Sequence, residues 1–193
     1  TQRGIGAAGQ GELNSSVVVQ EGNRNNAKLN QRGTNQNSVI AQEGGNQNEA
    51  DIQQRGQFNQ SSVFQSNGNE NKAEVSQNGV GNSSLIGQGS AGGAISSNKN
   101  EAYVEQVGNL NTSSIGQFGG SDNYADVFQE GNGHTSSIGQ LLGSENRAYV
   151  TQDGGNGSTS VLGQIGGDEN EAYISQNGNG HYSLIGSLLG DAN

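Results

Sequence analysis

The chain contains no cysteine, no proline, no methionine and no tryptophan. Without cysteine neither a disulfide framework nor a thiolate metal site can form, and the compartment does not follow from the absence. Apolar residues make up 28% of the 193 residues and aromatics 5%, too little to fill a conventional globular core. No stretch approaches the roughly 20 apolar residues of a bilayer-spanning helix, so membrane insertion is not expected. Basic residues are scarce as well: eight Lys and Arg stand against 18 Asp and Glu, for a net charge of -10. They are scattered, which argues against a phosphate-tracking surface and against nucleic acid as a partner. Charged residues reach only 13% in total, unlike most disordered chains, which are rich in charge and proline. The chain opens on Thr1, consistent with a mature exported chain whose leader has been removed, although a chain trimmed at its start would look identical.

What is abundant is glycine, with 34 residues, and repetition. A seven-residue pattern, polar-x-(Ala/Ser)-x-aliphatic-x-Gln, returns fifteen times. Its second recurring column alternates strictly: Ser16, Ala27, Ser38, Ala50, Ser61, Ala73, Ser84, Ala102, Ser113, Ala125, Ser136, Ala148, Ser160, Ala172, Ser183. The repeat is therefore one Ala-type unit plus one Ser-type unit, with a period of about 23 residues, in the range of solenoids and stacked arrays. A coil places no demand on which residue recurs where, so this regularity argues for order. The recurring residues occupy alternate positions, and period two belongs to strands.

The first column is Asn in most units, with Gln36, His134, Ser158 and His181 as exceptions. The third is aliphatic throughout, from Val18 and Leu29 to Ile174 and Ile185, and the fourth is Gln in every unit but the last, which has Ser187. These columns are expected to point inward, because they recur while Lys28, Asp51, Glu74 and Tyr103 vary between them. Small Ser or Ala beside one aliphatic residue makes a thin interior between two sheets. Buried amides are costly unless paired, and stacked strands let each amide bond to its copies above and below, at the roughly 4.8 Å spacing of cross-β structure. The polar ladder is thus expected at Asn25, Gln31, Asn48, Gln54, Asn71, Gln77, Asn100, Gln106, Asn123, Gln129, Asn146, Gln152, Asn170 and Gln176.

After the Gln comes x-Gly in eleven of the fifteen units, supplying the positive φ of a tight reversal. The expected fold is all-β: a two-sheet β-solenoid over 14–187, of about seven strand-turn-strand rungs plus one extra N-terminal strand at Asn14–Gln20. Six inserted residues within 89–99 read as a surface loop, and 188–193 as a C-terminal tail. Residues 1–13 read as a Gly-rich leader or as a degenerate partner strand ending near Gln10.

The two outer faces differ. The Ala-type face carries Lys28, Asp51, Glu74, Tyr103, Asp126, Tyr149 and Tyr173, whereas the Ser-type face carries Val17, Val39, Leu85, Val161 and Leu184 beside Gly87, Gly116, Gly139, Gly163 and Gly186. Lateral contacts are expected on the flatter Ser-type face, unless its small residues serve only close stacking. Asp51, Glu74, Asp126 and Asp153 read as a solvated outer face, or as gatekeepers that delay assembly. No capping helix, proline or charge cluster stands at either end, so open strand edges would template another copy of the chain. The fibre-end contacts expected from this are Asn14, Gln20, Asn25, Gln31, Asn170, Gln176 and His181, joined head to tail.

Catalysis is poorly served. His134 and His181 are the two histidines, both stand in the Asn column, and the unit at Ser158 lies between them, so neither a catalytic nor a metal site is expected and no cofactor is implied. Calcium β-rolls need Asp in fixed turn register, and Asp153-Gly154-Gly155 and Gly166-Gly167-Asp168 occur once each. An ice-binding face would want a regular Thr row. A monomeric adhesin or spacer solenoid is the main alternative.

At Asn-x-Ala-x3-Gln followed by x-Gly, matched at Asn25–Gln31, Asn48–Gln54, Asn71–Gln77, Asn100–Gln106, Asn123–Gln129, Asn146–Gln152 and Asn170–Gln176, the sequence resembles the curlin repeat family of bacterial curli fibres. The family's Ser-x5-Gln-x-Gly half is literal only at Ser158–Gln164–Gly166. The resemblance implies a functional amyloid subunit, secreted through an outer-membrane pore and built into extracellular cell-surface fibres of biofilm matrix and adhesion. It also implies a nucleator subunit as partner. The near-identical rungs favour the major subunit, while Ser187 and the unpaired first strand are the features that fit a nucleator.

Overall fold

The computed structural model describes residues 2–4, 13–90 and 97–190. Alternation of small, aliphatic and amide side chains with polar ones leaves strands as the regular elements of the described residues, and they stack into two parallel sheets. The Ala-type sheet has seven strands: Asn26–Thr34, Glu49–Gln57, Lys72–Val80, Glu101–Asn109, Tyr124–Asn132, Arg147–Asn156 and Glu171–Asn177. The Ser-type sheet has nine: Gln2–Gly4, Ser15–Gln20, Asn37–Glu43, Gln60–Ser66, Ser83–Gly89, Thr112–Phe118, Thr135–Leu141, Thr159–Ile165 and Tyr182–Leu188. The chain alternates between the sheets, which makes it a β-solenoid of about seven turns, each about 23 residues long, as the columns indicated.

Neighbouring parallel strands lie in register, with a one-residue shift between Glu130 and Asn132, where Asn132 stands opposite Asn156. Ala27 stands opposite Ala50, Leu29 opposite Ile52 and Gln31 opposite Gln54, and the columns run on to Ala172, Ile174 and Gln176. Identity of the columns is what sets this register, because a slip of one residue would turn every inward side chain outward. The insertion after Gln88 leaves it intact: Ala73 still faces Ala102 and Gln88 faces Gln117. Beyond the insertion Ser97–Asn98 pairs with Gly120–Ser121, while 91–96, the middle of the expected loop, lie outside the described residues. The interior is one aliphatic residue wide per strand, with Ile40, Ile52, Val63, Ile86 and Val127 fully buried.

Two backbone features shape the corners. The residue just before the first column has positive φ in all fifteen units, including non-glycines such as Leu13, Arg24, Phe58, Glu70 and Leu110. The second feature is contact between rungs. A Cβ on Gly56 would lie 2.0 Å from the carbonyl oxygen of Gly79, and one on Gly120 would lie 1.9 Å from that of Gly143. Glycine is required there by the spacing of the stack as much as by the turn.

One expectation about the ends is corrected. The outer edge of Ser15–Gln20 is not bare: Gln2–Gly4 pairs with it antiparallel, Gln2 opposite Gln20 and Gly4 opposite Val18. These three residues match no column, and main-chain pairing leaves no periodic signal. The degenerate strand expected to end near Gln10 falls outside the described residues, as do 191–193 of the tail.

Candidate functional site

The buried amides form two continuous glutamine ladders. In the Ala-type sheet each Nε2 donates to the next Oε1, from Gln31 to Gln54 (3.0 Å), Gln54 to Gln77 (2.7 Å), and on through Gln106, Gln129 and Gln152 to Gln176. In the Ser-type sheet the ladder runs from Gln20 to Gln42 (2.7 Å) and then through Gln65, Gln88, Gln117 and Gln140 to Gln164. The amide also ties the two sheets together. Gln42 Nε2 reaches the carbonyls of Asn26 and Asn48 (both 3.0 Å), and Gln54 Nε2 reaches Ser61 Oγ (3.1 Å). This is how an interior with so little apolar surface satisfies its polar groups.

The asparagine column is built differently from the amide-to-amide contact expected of it. Asn48 Oδ1 accepts from the main-chain N–H of Asn71 (3.0 Å), Asn71 Oδ1 from that of Asn100 (3.1 Å), and Asn100 Oδ1 from that of Asn123 (2.9 Å). The Nδ2 groups donate to corner carbonyls, Asn48 to Gly68 (2.9 Å) and Asn123 to Gly143 (2.8 Å). One methylene shorter than Gln, Asn reaches the main chain of the next rung, so this column pins the corners. At the last rung Asn170 Nδ2 donates to Asn146 Oδ1 (2.9 Å).

The residues expected at the fibre ends are brought to the two ends of the stack. Asn14 Nδ2 donates to the Gly33 carbonyl (2.9 Å) and Asn25 Nδ2 to that of Glu21 (2.8 Å). Gln176 Nε2 donates to Ser183 Oγ and to the Thr159 carbonyl (both 2.9 Å), and exposed His181 lies 2.9 Å from the Asn177 carbonyl through Nε2. Gln31 is buried, yet its Oε1 has no hydrogen-bond partner among the described residues.

His134 is buried in the Asn column. Its main-chain N–H donates to Asn111 Oδ1 (3.0 Å), and its Nδ1 accepts from the N–H of Ser158 (3.2 Å), as an Asn oxygen does elsewhere. Burial pushes its pKa below the usual value. Among the described residues no group of three or more His, Cys, Asp or Glu is placed to hold a metal. No helix of the described residues is long and apolar enough to cross a membrane.

Outer ladders were missed in the sequence. Asn46 bonds to Asn69 and Asn69 to Asn98 (both 3.1 Å) at one corner, and Asn109 to Asn132 (2.9 Å) and Asn132 to Asn156 (3.1 Å) at the other. Their signal was a recurring Asn two positions before the first column. On the Ala-type face Lys28 pairs with Glu49 (3.3 Å) and Lys72 with Glu74 (2.8 Å), and Lys72 Nζ lies 5.1 Å from the Tyr103 ring centre. From there Tyr103, Tyr124, Tyr149 and Tyr173 follow one another at 5.4, 5.4 and 4.6 Å. Burial pushes the Tyr124 phenol up to about 12. The Ser-type face instead holds an apolar cleft lined by Phe64, Leu85, Gly87, Gly116 and Phe118.

In-register strands, amide ladders and glycine corners repeat without reference to any single chemical centre. The pattern of the curlin associated repeat matches residues 45–79, 96–119 and 120–154. The chain belongs to the curlin repeat family. No curated protein matches it. The curlin match and the solenoid together support a curli-like structural protein.

Proposed function

We propose that this curlin-repeat chain is the major structural subunit of extracellular amyloid fibres, adding head to tail to copies of itself on the cell surface and serving biofilm matrix and adhesion. The observation that carries this reading is the pair of sheet edges at Glu171–Asn177 and Tyr182–Leu188, each the last strand of an in-register parallel sheet. Unpaired N–H and C=O groups on such an edge are a template for a further strand, and identical columns make that strand another copy. Family membership supports secretion through an outer-membrane pore and seeding by a nucleator subunit. Ser187, which interrupts the Gln column, favours the nucleator as the second reading.

The assembling contacts are tested by comparing two alanine sets. Replacing Gln20, Gln31, Asn170 and Gln176 is expected to slow fibre growth more than replacing interior Gln77, Asn82, Gln106 and Asn111. Equal slowing contradicts control by the terminal rungs.

A further inference from the structure

The tyrosines on the outer face of the Ala-type sheet are placed to react with one another, whether or not the chain assembles. In register, one outward column reads Tyr103, Asp126, Tyr149, Tyr173. Asp126 would interrupt a row of rings. Tyr124, from the neighbouring column opposite Arg147, fills the gap, and the ring centres follow at 5.4, 5.4 and 4.6 Å. Ring centres this close are in contact. The last pair differs from the others: its planes lie 5° apart, against 34° and 38° for the two pairs that involve Tyr124.

Tyr149 faces Tyr173 in register, with main chains one strand spacing apart, about 4.8 Å. Their ring centres are separated by nearly the same distance, 4.6 Å. The two side chains therefore run alongside each other, and the ring carbons next to one hydroxyl lie against those next to the other. A carboxylate stands at the hydroxyl: Tyr173 donates to Glu171 Oε1, as Tyr103 does to Glu101 Oε2 at 2.7 Å. The bond to Glu171 pushes the Tyr173 phenol up to about 12. Its proton stays on the oxygen at neutral pH, with a base beside it should the ring lose an electron.

We propose that Tyr149 and Tyr173 form a site of oxidative cross-linking, joined as dityrosine by a one-electron oxidant of the haem peroxidase class that is fed by hydrogen peroxide. One electron leaves the Tyr173 ring and the phenol proton passes to Glu171. Through the ring contact Tyr149 then gives up an electron and its phenol proton, and Tyr173 regains both. A second one-electron step oxidises Tyr173 again. The two radicals couple through one new C–C bond between the carbons next to the hydroxyls, and the hydrogens on those carbons move to the two oxygens. In all, two electrons and two protons leave the pair and reduce one peroxide to two waters. The product is a covalent brace between adjacent rungs of one sheet.

Tyr182, the fifth tyrosine, is the control. It stands on the Ser-type sheet and is 68% exposed, against 61% for Tyr173. Freshly purified, unassembled chain is treated with haem peroxidase and hydrogen peroxide, its dityrosine is quantified after hydrolysis, and its size is followed on a denaturing gel. The native chain should yield dityrosine at monomer size. Tyr149→Phe and Tyr173→Phe keep the stacked ring but should lower that yield at least about tenfold, because the partner held in contact is gone. Tyr182→Phe should leave it unchanged. Glu171→Gln keeps an acceptor beside the hydroxyl and removes its basicity, so it should slow the reaction several-fold at an unaltered melting temperature. No dityrosine, product at dimer size alone, a yield that survives Tyr149→Phe or Tyr173→Phe, or one lost with Tyr182→Phe overturns the site. An unchanged rate in Glu171→Gln overturns the proton transfer to Glu171. Failure of the chain to form fibres bears on the proposed function and leaves this site standing.

Discussion

His134 shows what the asparagine column demands of a side chain: an acceptor aimed at the next rung's N–H. Protonation would place a proton on that acceptor, and burial already disfavours the charged form. The folded pKa therefore lies below the ordinary 6.5. Well above pH 6.5 the imidazole is neutral in folded and unfolded chains alike and contributes no pH dependence. As pH falls below that value the unfolded chain takes up the proton first, so stability is lost down to the folded pKa. Denaturant titrations at pH 7.5 and 5.5 should show this loss in the native chain, and His134→Asn should remove it. Asp51 and Asp126, raised mainly by burial, act oppositely, binding protons more readily when folded, and the Asn variant isolates the histidine from them. Phe58 tests the corners. Its φ is 58° and its side chain is half exposed, so Phe58→Gly relieves strain at little cost in packing, with an expected gain of about 1 kcal/mol. Gly56→Ala should cost several times as much in the same titration, since its Cβ has no room beneath Gly79.

At the scale of the element the unit of stability is the pair of strands. Deleting Glu101–Asn123 joins Asn100 to Tyr124 and keeps the alternation of Ala-type and Ser-type strands, so the shortened chain should fold with a modestly lower melting temperature. Deleting Glu101–Asn111 alone joins Asn100 to Thr112 and sends every later strand to the wrong sheet. That chain should lose cooperative melting, as followed by circular dichroism. The same unit explains what was legible in the sequence. Columns such as Ala50-Ala73-Ala102 recur because stacking puts like on like, and they disclosed strands, sheets, register and the places of Gln31 to Gln176. The positive-φ column was not legible, because Leu13, Arg24, Phe58 and Glu70 share a backbone angle and no side-chain chemistry. Nor was the route of the asparagine bonds, since main-chain and side-chain acceptors one rung away look alike in a list of residues. Gln2–Gly4 left no trace because backbone pairing asks nothing of its side chains.

For the whole molecule, both faces and both ends follow from the same stack. A net charge of -10 keeps copies apart at long range, the tyrosine row runs along one face, and the Ser-type face with its Phe64 and Phe118 cleft is the side we propose for lateral contact between fibres. Growth along the axis is the central claim, and incubation of the purified chain in plain buffer tests it most directly. Electron micrographs and fibre diffraction should show unbranched fibres, formed faster at higher concentration, with a meridional reflection near about 4.8 Å. A chain that stays monomeric at every concentration, with its solenoid intact, contradicts the account and leaves a spacer or adhesin in its place.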